Sequence, residues 1–252
     1  MGEFSGKTAV VTGASRGIGA ETAKRIAAEG ARVAVHYGNS PDAARDVVAA
    51  IESAGGSAFA VQADLADSAA IVPMVDAIRE GFGSRPVDFL VNNAGVGSEW
   101  GKHGFGNVTA EHFDALFHVN VLAPLLITQA LAENFAEGGR VVLLSSVSGR
   151  SAQPRSPVYS ASKAAVNSLT PMLALALAKR GVSVNAIAPG AVDTEFLTGI
   201  RTVPGFEEAA KKACWSGRLG TVEDIAGAIM MLLRNESGWI NGRVIEATGG
   251  LA

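Results

Sequence analysis

The sequence predicts an α/β fold: one doubly wound parallel sheet with helices on both faces. Three observations predict it. Short, branched apolar runs alternate without a break with stretches of helical length and period. The runs lack polar alternation, as strands covered on both faces do. No linker, repeat or shift in composition divides the 252 residues, so the chain reads as a single domain over 1–252.

Residues 7–12 (KTAVVT) form the first strand, followed by a glycine loop and a helix to about Glu29, where Gly30 stops it. The second strand is 31–37, and Ser40-Pro41-Asp42 opens the next helix as an N-cap followed by Pro at the first position. Residues 57–64 are the third strand, 67–81 a helix that tolerates Pro73, and 87–91 the fourth strand. Thr109-x-x-His112 opens a long helix to about Ala136, interrupted by Pro124. The fifth strand is 141–144, and its following helix opens near Tyr159. Then come a strand at 182–190, a less regular segment from 191 to 217, a helix from 222 to 233 and a last strand at 242–250.

Composition excludes several classes. Apolar residues make up 48% and charged residues 18%, which indicates a globular chain with a sizeable core. A net charge of −3 with no basic block argues against nucleic acid as a partner. The single cysteine, Cys214, cannot form an internal disulfide, and its expected role is packing rather than nucleophilic attack. His103, His112 and His118 lack metal-ligand spacing, so no metal is expected. The N-terminus lacks a signal peptide's layout and no apolar run approaches the length of a membrane span, so a soluble cytoplasmic protein is expected.

Residues 140–163, RVVLLSSVSGRSAQPRSPVYSASK, concentrate the chemistry. An apolar strand delivers Ser145 and Ser146 at its carboxyl end, where ligands sit in an open α/β sheet. Tyr159 and Lys163 stand four apart on a helix, so phenol and ammonium share a face. A hydroxyl, a phenol and an ammonium around one volume suit proton transfer to or from oxygen. Near the N-terminus, Gly13-Ala-Ser-Arg-Gly17-Ile-Gly19 lies between a strand and a helix. Glycines there let backbone approach a pyrophosphate, and the helix N-terminus supplies N–H groups and positive dipole.

Thr12-Gly13-x-x-x-Gly17-x-Gly19, Asn92-Asn93-Ala94-Gly95, Asn120, Ser146, Tyr159-x-x-x-Lys163 and Pro189-Gly190 occur in this order. Together they resemble the short-chain dehydrogenase/reductase superfamily, and the tail RLGTVEDIAGAIMMLL…WINGRVIEATGG resembles its 3-oxoacyl-reductase-like branch. Thr248 stands where that branch usually has Asp before the final glycines. The resemblance implies a Rossmann-type fold and reversible reduction of a ketone to a secondary alcohol. Tyr159 would be the general acid, Lys163 would lower the phenol's pKa together with the oxidised cofactor's charge, and Ser146 would orient the substrate oxygen. Asn120 would hold a water in a proton relay with Lys163. Ser145 is expected to point the other way.

Cofactor choice is read from what surrounds the loop. NAD enzymes of this fold place an acid about 20 residues past the glycines, and residues 32–40 contain none. Arg16 is placed for a 2′-phosphate, with His36, Asn39 and Ser40 as helpers, so NADP(H) is expected over NAD(H). The resemblance adds Ser15, Ile18, Asp64 at the adenine, Leu65, Asn92, Ala94, Gly95, Pro189, Gly190, Val192 and Thr194 as cofactor-lining residues, beside Tyr159 and Lys163.

The substrate side reads less fully. Residues 96–106 and a lid at about 191–217 flank the expected pocket, with Ser98, Trp100, Ser148, Gln153 and Trp215 as lining residues and an apolar or aromatic wall. The helix after 159 is apolar on more than one face, and the resemblance implies a homotetramer packed through it and its predecessor. Pro171 should bend that helix. Basic docking positions for an acidic carrier protein are half replaced by Glu133 and Glu137, with Lys179-Arg180 at the other. A free small-molecule carbonyl is therefore expected as substrate. The alternatives are an NAD-dependent hydroxysteroid or polyol dehydrogenase, a 3-oxoacyl-carrier-protein reductase and a non-catalytic dinucleotide-binding regulator.

Overall fold

Seven strands run parallel in the order β3-β2-β1-β4-β5-β6-β7. They are β1 (Thr8–Val11), β2 (Arg32–Tyr37), β3 (Ser57–Gln62), β4 (Val87–Asn92), β5 (Phe135–Leu144), β6 (Ser183–Pro189) and β7 (Val244–Ala247). The helices are α1 (Gly17–Ala28), α2 (Pro41–Ser53), α3 (Ile71–Phe82), α4 (Ala110–Phe117), α5 (Ala123–Ala130), α6 (Pro157–Leu177), α7 (Phe206–Ala213) and α8 (Val222–Leu233). This computed structural model describes residues 2–83, 85–97, 102–197, 201 and 203–251.

Successive strand residues point to opposite faces, and both faces are apolar. Ala9, Val11, Val33, Val35, Phe89, Val91, Val142 and Leu144 pack toward α1, α2 and α8. Val10, Ala34, Leu90, Val141, Leu143, Val184 and Ala186 pack toward α3, α5 and α6. That two-sided burial is why the strands read as continuous apolar runs. The order of strands reverses between β1 and β4, where a crevice opens at their carboxyl ends.

Three local expectations are revised. The helix expected from 109 to 136 is broken: α4 passes into a π-turn at His118–Leu122 before α5 begins. Pro124 has no N–H to return to the carbonyl of Asn120, so the wider turn is accommodated just before it. Residues 135 and 136 belong to β5, whose early half carries a register shift against β4 between Val87 and Phe89. Ser40 occupies the N-cap of α2 but makes no side-chain cap, unlike Thr109, which accepts from the His112 amide at 3.2 Å. Pro171 does not end α6, which runs on to Leu177.

The 21-residue stretch Ala110–Ala130, which includes Glu111 and Asp114, holds an 18-residue window of mean hydropathy 1.3, apolar enough by length and composition alone to cross a membrane. Only 28% of it is buried within the chain. Phe113 on α4 and Met172 and Leu175 on α6 leave further apolar surface exposed.

Candidate active site

The loop between β1 and α1 is held open by its own backbone. Gly13 has φ +62° and Gly17 has φ +57°, both in the left-handed region. A Cβ at Gly13 would stand 2.9 Å from Ala94 Cα, and one at Gly19 would stand 2.4 Å from the Gly13 carbonyl oxygen. No side chain caps α1, and Ala20 is the first amide bonded back into it, to the Arg16 oxygen at 3.2 Å. The amides before it lack helical partners and point from the positive end of the helix. The residues present therefore fit a dinucleotide's pyrophosphate.

The β4 end fastens this loop. Asn93 Nδ2 donates to the carbonyl oxygens of Thr12 at 2.9 Å and Gly13 at 3.0 Å. Thr12 Oγ1 accepts from the amides of Asn93 and Ala94, each at 3.0 Å. Asn92 behaves differently from expectation. Its side chain is buried and donates to Thr128 Oγ1 of α5 at 3.2 Å, so it faces the interior rather than a cofactor.

β5 and α6 bring Ser146, Tyr159 and Lys163 together. Ser146 is 9% exposed, and its hydroxyl accepts from the Ser148 amide at 3.1 Å, capping a short turn at Val147–Gly149. Ser145 points to the other side, donating to the Lys163 carbonyl at 3.2 Å and to Asn167 Oδ1 at 2.5 Å. A Cβ at Gly149 would stand 2.8 Å from the Lys163 carbonyl carbon, so that glycine lets the β5 loop seat directly on α6. The Lys163 ammonium donates to the Leu144 oxygen at 2.7 Å and lies 5.8 Å from the Tyr159 ring centre.

Burial moves both titrating groups toward neutrality. Desolvation pushes the Tyr159 phenol up to about 12, opposed by its hydrogen bond with Ser146, although part of its side chain stays accessible. The same cause pulls Lys163 down to about 8. Among the chain's own groups, burial outweighs an ammonium that is engaged with the Leu144 oxygen. At neutral pH the phenol carries its proton, the form a general acid needs.

Asn120 lies in the π-turn and is 2% exposed. Its Oδ1 accepts from the Val96 amide and its Nδ2 donates to the Val96 oxygen, both at 2.9 Å, with a further bond from Nδ2 to Ser162 Oγ at 3.0 Å. The side chain is thus a clamp on the chain after β4. A Cβ at Gly95 would stand 3.2 Å from Asn120 Oδ1 and 3.6 Å from Lys163 Nζ, so Gly95 runs beside both.

The chain beyond β6 covers this crevice. Pro189 ends β6, the Gly190 amide donates to Ala247 at 3.2 Å, and Val192 is buried in a bridge to Gly220. Thr194 faces Gly17, with its Cγ2 4.0 Å from where a Cβ would stand. Glu195–Leu197 forms one short turn, and Glu195 Oε2 pairs with Arg16 Nε at 3.4 Å. Phe196 is 53% exposed, and its ring centre lies 5.8 Å from that of Tyr159. It covers Gly97, where a Cβ would stand only 2.6 Å from the ring.

A short-chain-dehydrogenase family model, described as enoyl-(acyl carrier protein) reductase, matches residues 13–252. The chain belongs to the short-chain dehydrogenase/reductase superfamily. It is 42% identical to an uncharacterised oxidoreductase of Methylorubrum extorquens, covering 100% of both chains. It is 34% identical to the tetrahydroxynaphthalene reductase of Pyricularia oryzae, over 98% of this chain and 90% of that protein. Among solved structures it resembles the angucycline C-6 ketoreductase LanV with bound NADP, at 35% identity and TM-score 0.92, covering 99% of this chain and 96% of LanV.

Within this superfamily's sheet, the remaining residues read from sequence fall as follows. Ser15, Ala94 and Gly95 lie on the loops of the crevice, Ile18 is in the first turn of α1, and Leu65 is buried. Asp64 is exposed just past β3, its carboxylate accepting from the Ala66 amide at 3.0 Å. Asn39 is exposed and Ser40 half-buried at the head of α2. Gln153 is half-buried. Ser98 and Trp100 lie outside the described residues. Trp215 is 77% exposed, its ring against Gly250 and its amide donating to the Gly250 oxygen at 2.8 Å. It packs on the segment that follows β7. Cys214 beside it donates to the Thr248 oxygen at 3.0 Å, a packing role. His36 is buried with both ring nitrogens engaged, which removes it as a phosphate contact. Sequence reasoning missed Thr12 and Asn93 as the loop's fasteners, and Phe196 as the aromatic next to Tyr159. An aromatic in the 191–217 segment was the available signal.

Proposed function

We propose that the physiological substrate is a free aromatic ketone and that NADPH is preferred to NADH. The chain is an NADP(H)-dependent oxidoreductase that converts a ketone reversibly to a secondary alcohol. The observation that carries this reading is the placing of Tyr159 beside Ser146 and Lys163, at the carboxyl ends of the strands that also carry the glycine loop.

When bound, a reduced nicotinamide supplies the hydride. Everything else is done by the chain. Ser146 and the Tyr159 hydroxyl hold the carbonyl oxygen, and the phenol gives it a proton as negative charge develops. The Lys163 ammonium, still charged below about 8, stabilises the phenolate that remains. Asn120 keeps Val96 and Gly95 in register beside Lys163, through the bonds at Val96. Phe196, whose ring lies beside that of Tyr159, shields the phenol from water on that side.

Two observations support an aromatic substrate. Phe196 offers a half-exposed ring beside the phenol, and relatives of this chain are named for tetrahydroxynaphthalene and an angucycline. The description of the matching family model favours a second reading, a carrier-bound acyl substrate. Against it, Arg180 is paired with Glu133 at 2.8 Å, so half of the basic docking surface is internally neutralised. Comparing kcat/KM at low salt for free aromatic ketones and carrier-bound 3-oxoacyl chains tests the two. The free ketone is expected to be favoured by at least about tenfold, or about 1.4 kcal/mol. A preference for the carrier-bound chain overturns the proposal.

NADPH preference rests on Arg16 and on the absence of an acid in residues 32–40. The Arg16–Glu195 pair is solvent-exposed and worth at most about 1 kcal/mol, so a phosphate can displace or share it. A Ser40 side chain that makes no helix cap adds a hydroxyl at the same end. Arg16→Ala is expected to weaken NADPH by about 10- to 100-fold, the scale of a charged hydrogen bond, and NADH by less than about twofold. Dissociation constants for both dinucleotides check this, and equal weakening contradicts it. The exposed apolar residues Phe113 of α4 and Met172 and Leu175 of α6 support assembly as a homotetramer, and a cytoplasmic location is in keeping with the lone cysteine.

A further inference from the structure

We propose that His36 is a positioning residue for cofactor binding, a neutral imidazole strut that sets the glycine loop against the adenosine side of the crevice. The proposal rests on the reading that this crevice takes a nicotinamide dinucleotide. His36 is the fifth residue of β2, and its side chain is 2% exposed. Its Nδ1 accepts from the Gly13 amide at 3.0 Å, and its Nε2–H donates to the Ala63 oxygen at 3.1 Å. Its own carbonyl accepts from the Ala14 amide at 2.8 Å, so side chain and backbone grip consecutive residues of the loop.

The two ends of the imidazole lie on the two walls a dinucleotide would span. Gly13 opens the phosphate loop, and its carbonyl is held from the other side by Asn93 at 3.0 Å. Ala63 is the residue before Asp64 and is tied to β2 through its amide, which donates to the Tyr37 oxygen at 3.1 Å. The ring is therefore a spacer of fixed length between loop and adenine wall. Only the neutral tautomer with the proton on Nε2 satisfies both contacts, because an imidazolium would set an N–H against the Gly13 N–H. Burial pulls the ring down to about 4, which keeps that tautomer throughout the physiological range. The strut touches backbone alone, so it acts on any dinucleotide and does not read the 2′-phosphate.

The test uses three variants of the full-length protein, with dissociation constants for NADPH and NADH measured by fluorescence titration beside thermal midpoints. His36→Asn retains an acceptor for the Gly13 amide but cannot reach Ala63. His36→Gln reaches toward Ala63 and loses the acceptor, and His36→Leu loses both. His36→Gln and His36→Leu are expected to raise both dissociation constants by a similar factor, about tenfold, the worth of one buried hydrogen bond. His36→Asn, which keeps the Gly13 contact and loses the one at Ala63, is expected to raise both by about threefold, and kcat at saturating cofactor is expected to change little in any of them. Should His36→Leu fail to fold, the Asn and Gln pair still decides, because a purely structural role predicts equal binding by the two. Equal binding overturns the proposal, as does a loss confined to NADPH, which would make His36 a phosphate contact. Wild-type protein that binds neither dinucleotide overturns the cofactor reading itself and the proposal with it, whereas wild-type binding with an unaffected Gln variant overturns the proposal alone.

Discussion

Tyr159→Phe is expected to lower kcat by at least about 10²-fold while leaving NADPH affinity within about twofold. The ring's surroundings, Phe196 at 5.8 Å and the Lys163 ammonium at 5.8 Å, are met by phenylalanine as well as by tyrosine. Only the hydroxyl is lost, and with it the proton and the hydrogen bond with Ser146. Stability should fall by no more than about 1 kcal/mol, the usual net worth of one hydrogen bond, because the ring's packing is kept. Single-turnover rates with saturating NADPH check the chemistry separately from binding. A variant that turns over within about threefold of wild type removes Tyr159 from the reaction.

The proton-handling groups share one design feature. Tyr159 and Lys163 sit where burial disfavours charge, and Lys163 and Ser146 are held by backbone, Lys163 by the Leu144 oxygen and Ser146 by the turn it caps. The π-turn at His118–Leu122 belongs to the same construction. It rotates Asn120 inward to grip Val96 at 2.9 Å on both sides, which a regular helix leading straight into Pro124 would not require. Placement of the lysine thus depends on residues well outside the Tyr-x-x-x-Lys signature. Ser145 is one of them, since it bonds the Lys163 carbonyl at 3.2 Å.

Most of the architecture was legible because two-sided burial writes itself as apolar runs, and α8 runs from Val222 to Leu233 as its period indicates. What escaped reading was set by pairing partners distant in sequence. The start of β5 at Phe135 depends on its pairing with Val87 of β4, and the residues themselves, FAEGG, carry no strand pattern. In the site, Asn92 and Asn93 are indistinguishable as letters. The pleat decides which faces Thr128 and which faces the glycine loop. His36 reads as a polar strand end, and only the proximity of Gly13 and Ala63 converts it into a buried link. The glycines were legible as a loop, but not which of them lacks room for a side chain.

Gly19→Ala answers that last question with the second large effect. Alanine is the commoner helix residue, so propensity alone favours the change by up to about 1 kcal/mol. Packing opposes it decisively. The new methyl would lie 2.4 Å from the Gly13 oxygen, 2.5 Å from Asn93 Nδ2 and 3.0 Å from Ala14 Cα. Two of these atoms are backbone, and the third donates to Thr12 and Gly13, so relief requires opening the clamp that joins β4 to the loop. Overpacking of this kind costs about 1–3 kcal/mol, which in a chain of this size lowers the thermal midpoint by roughly 2–10 °C. Because the displaced atoms shape the phosphate loop, affinity for NADPH and NADH should both fall by more than about tenfold. Gly17→Ala is the informative comparison. There φ is +57° and the nearest atom is Thr194 Cγ2 at 4.0 Å, so the cost is backbone strain of about 1 kcal/mol without a clash. Gly19→Ala should therefore be the worse of the two in both midpoint and affinity. A Gly19→Ala protein that melts and binds like wild type would mean that α1 can move away from Asn93, and the loop would not be the rigid cradle described here.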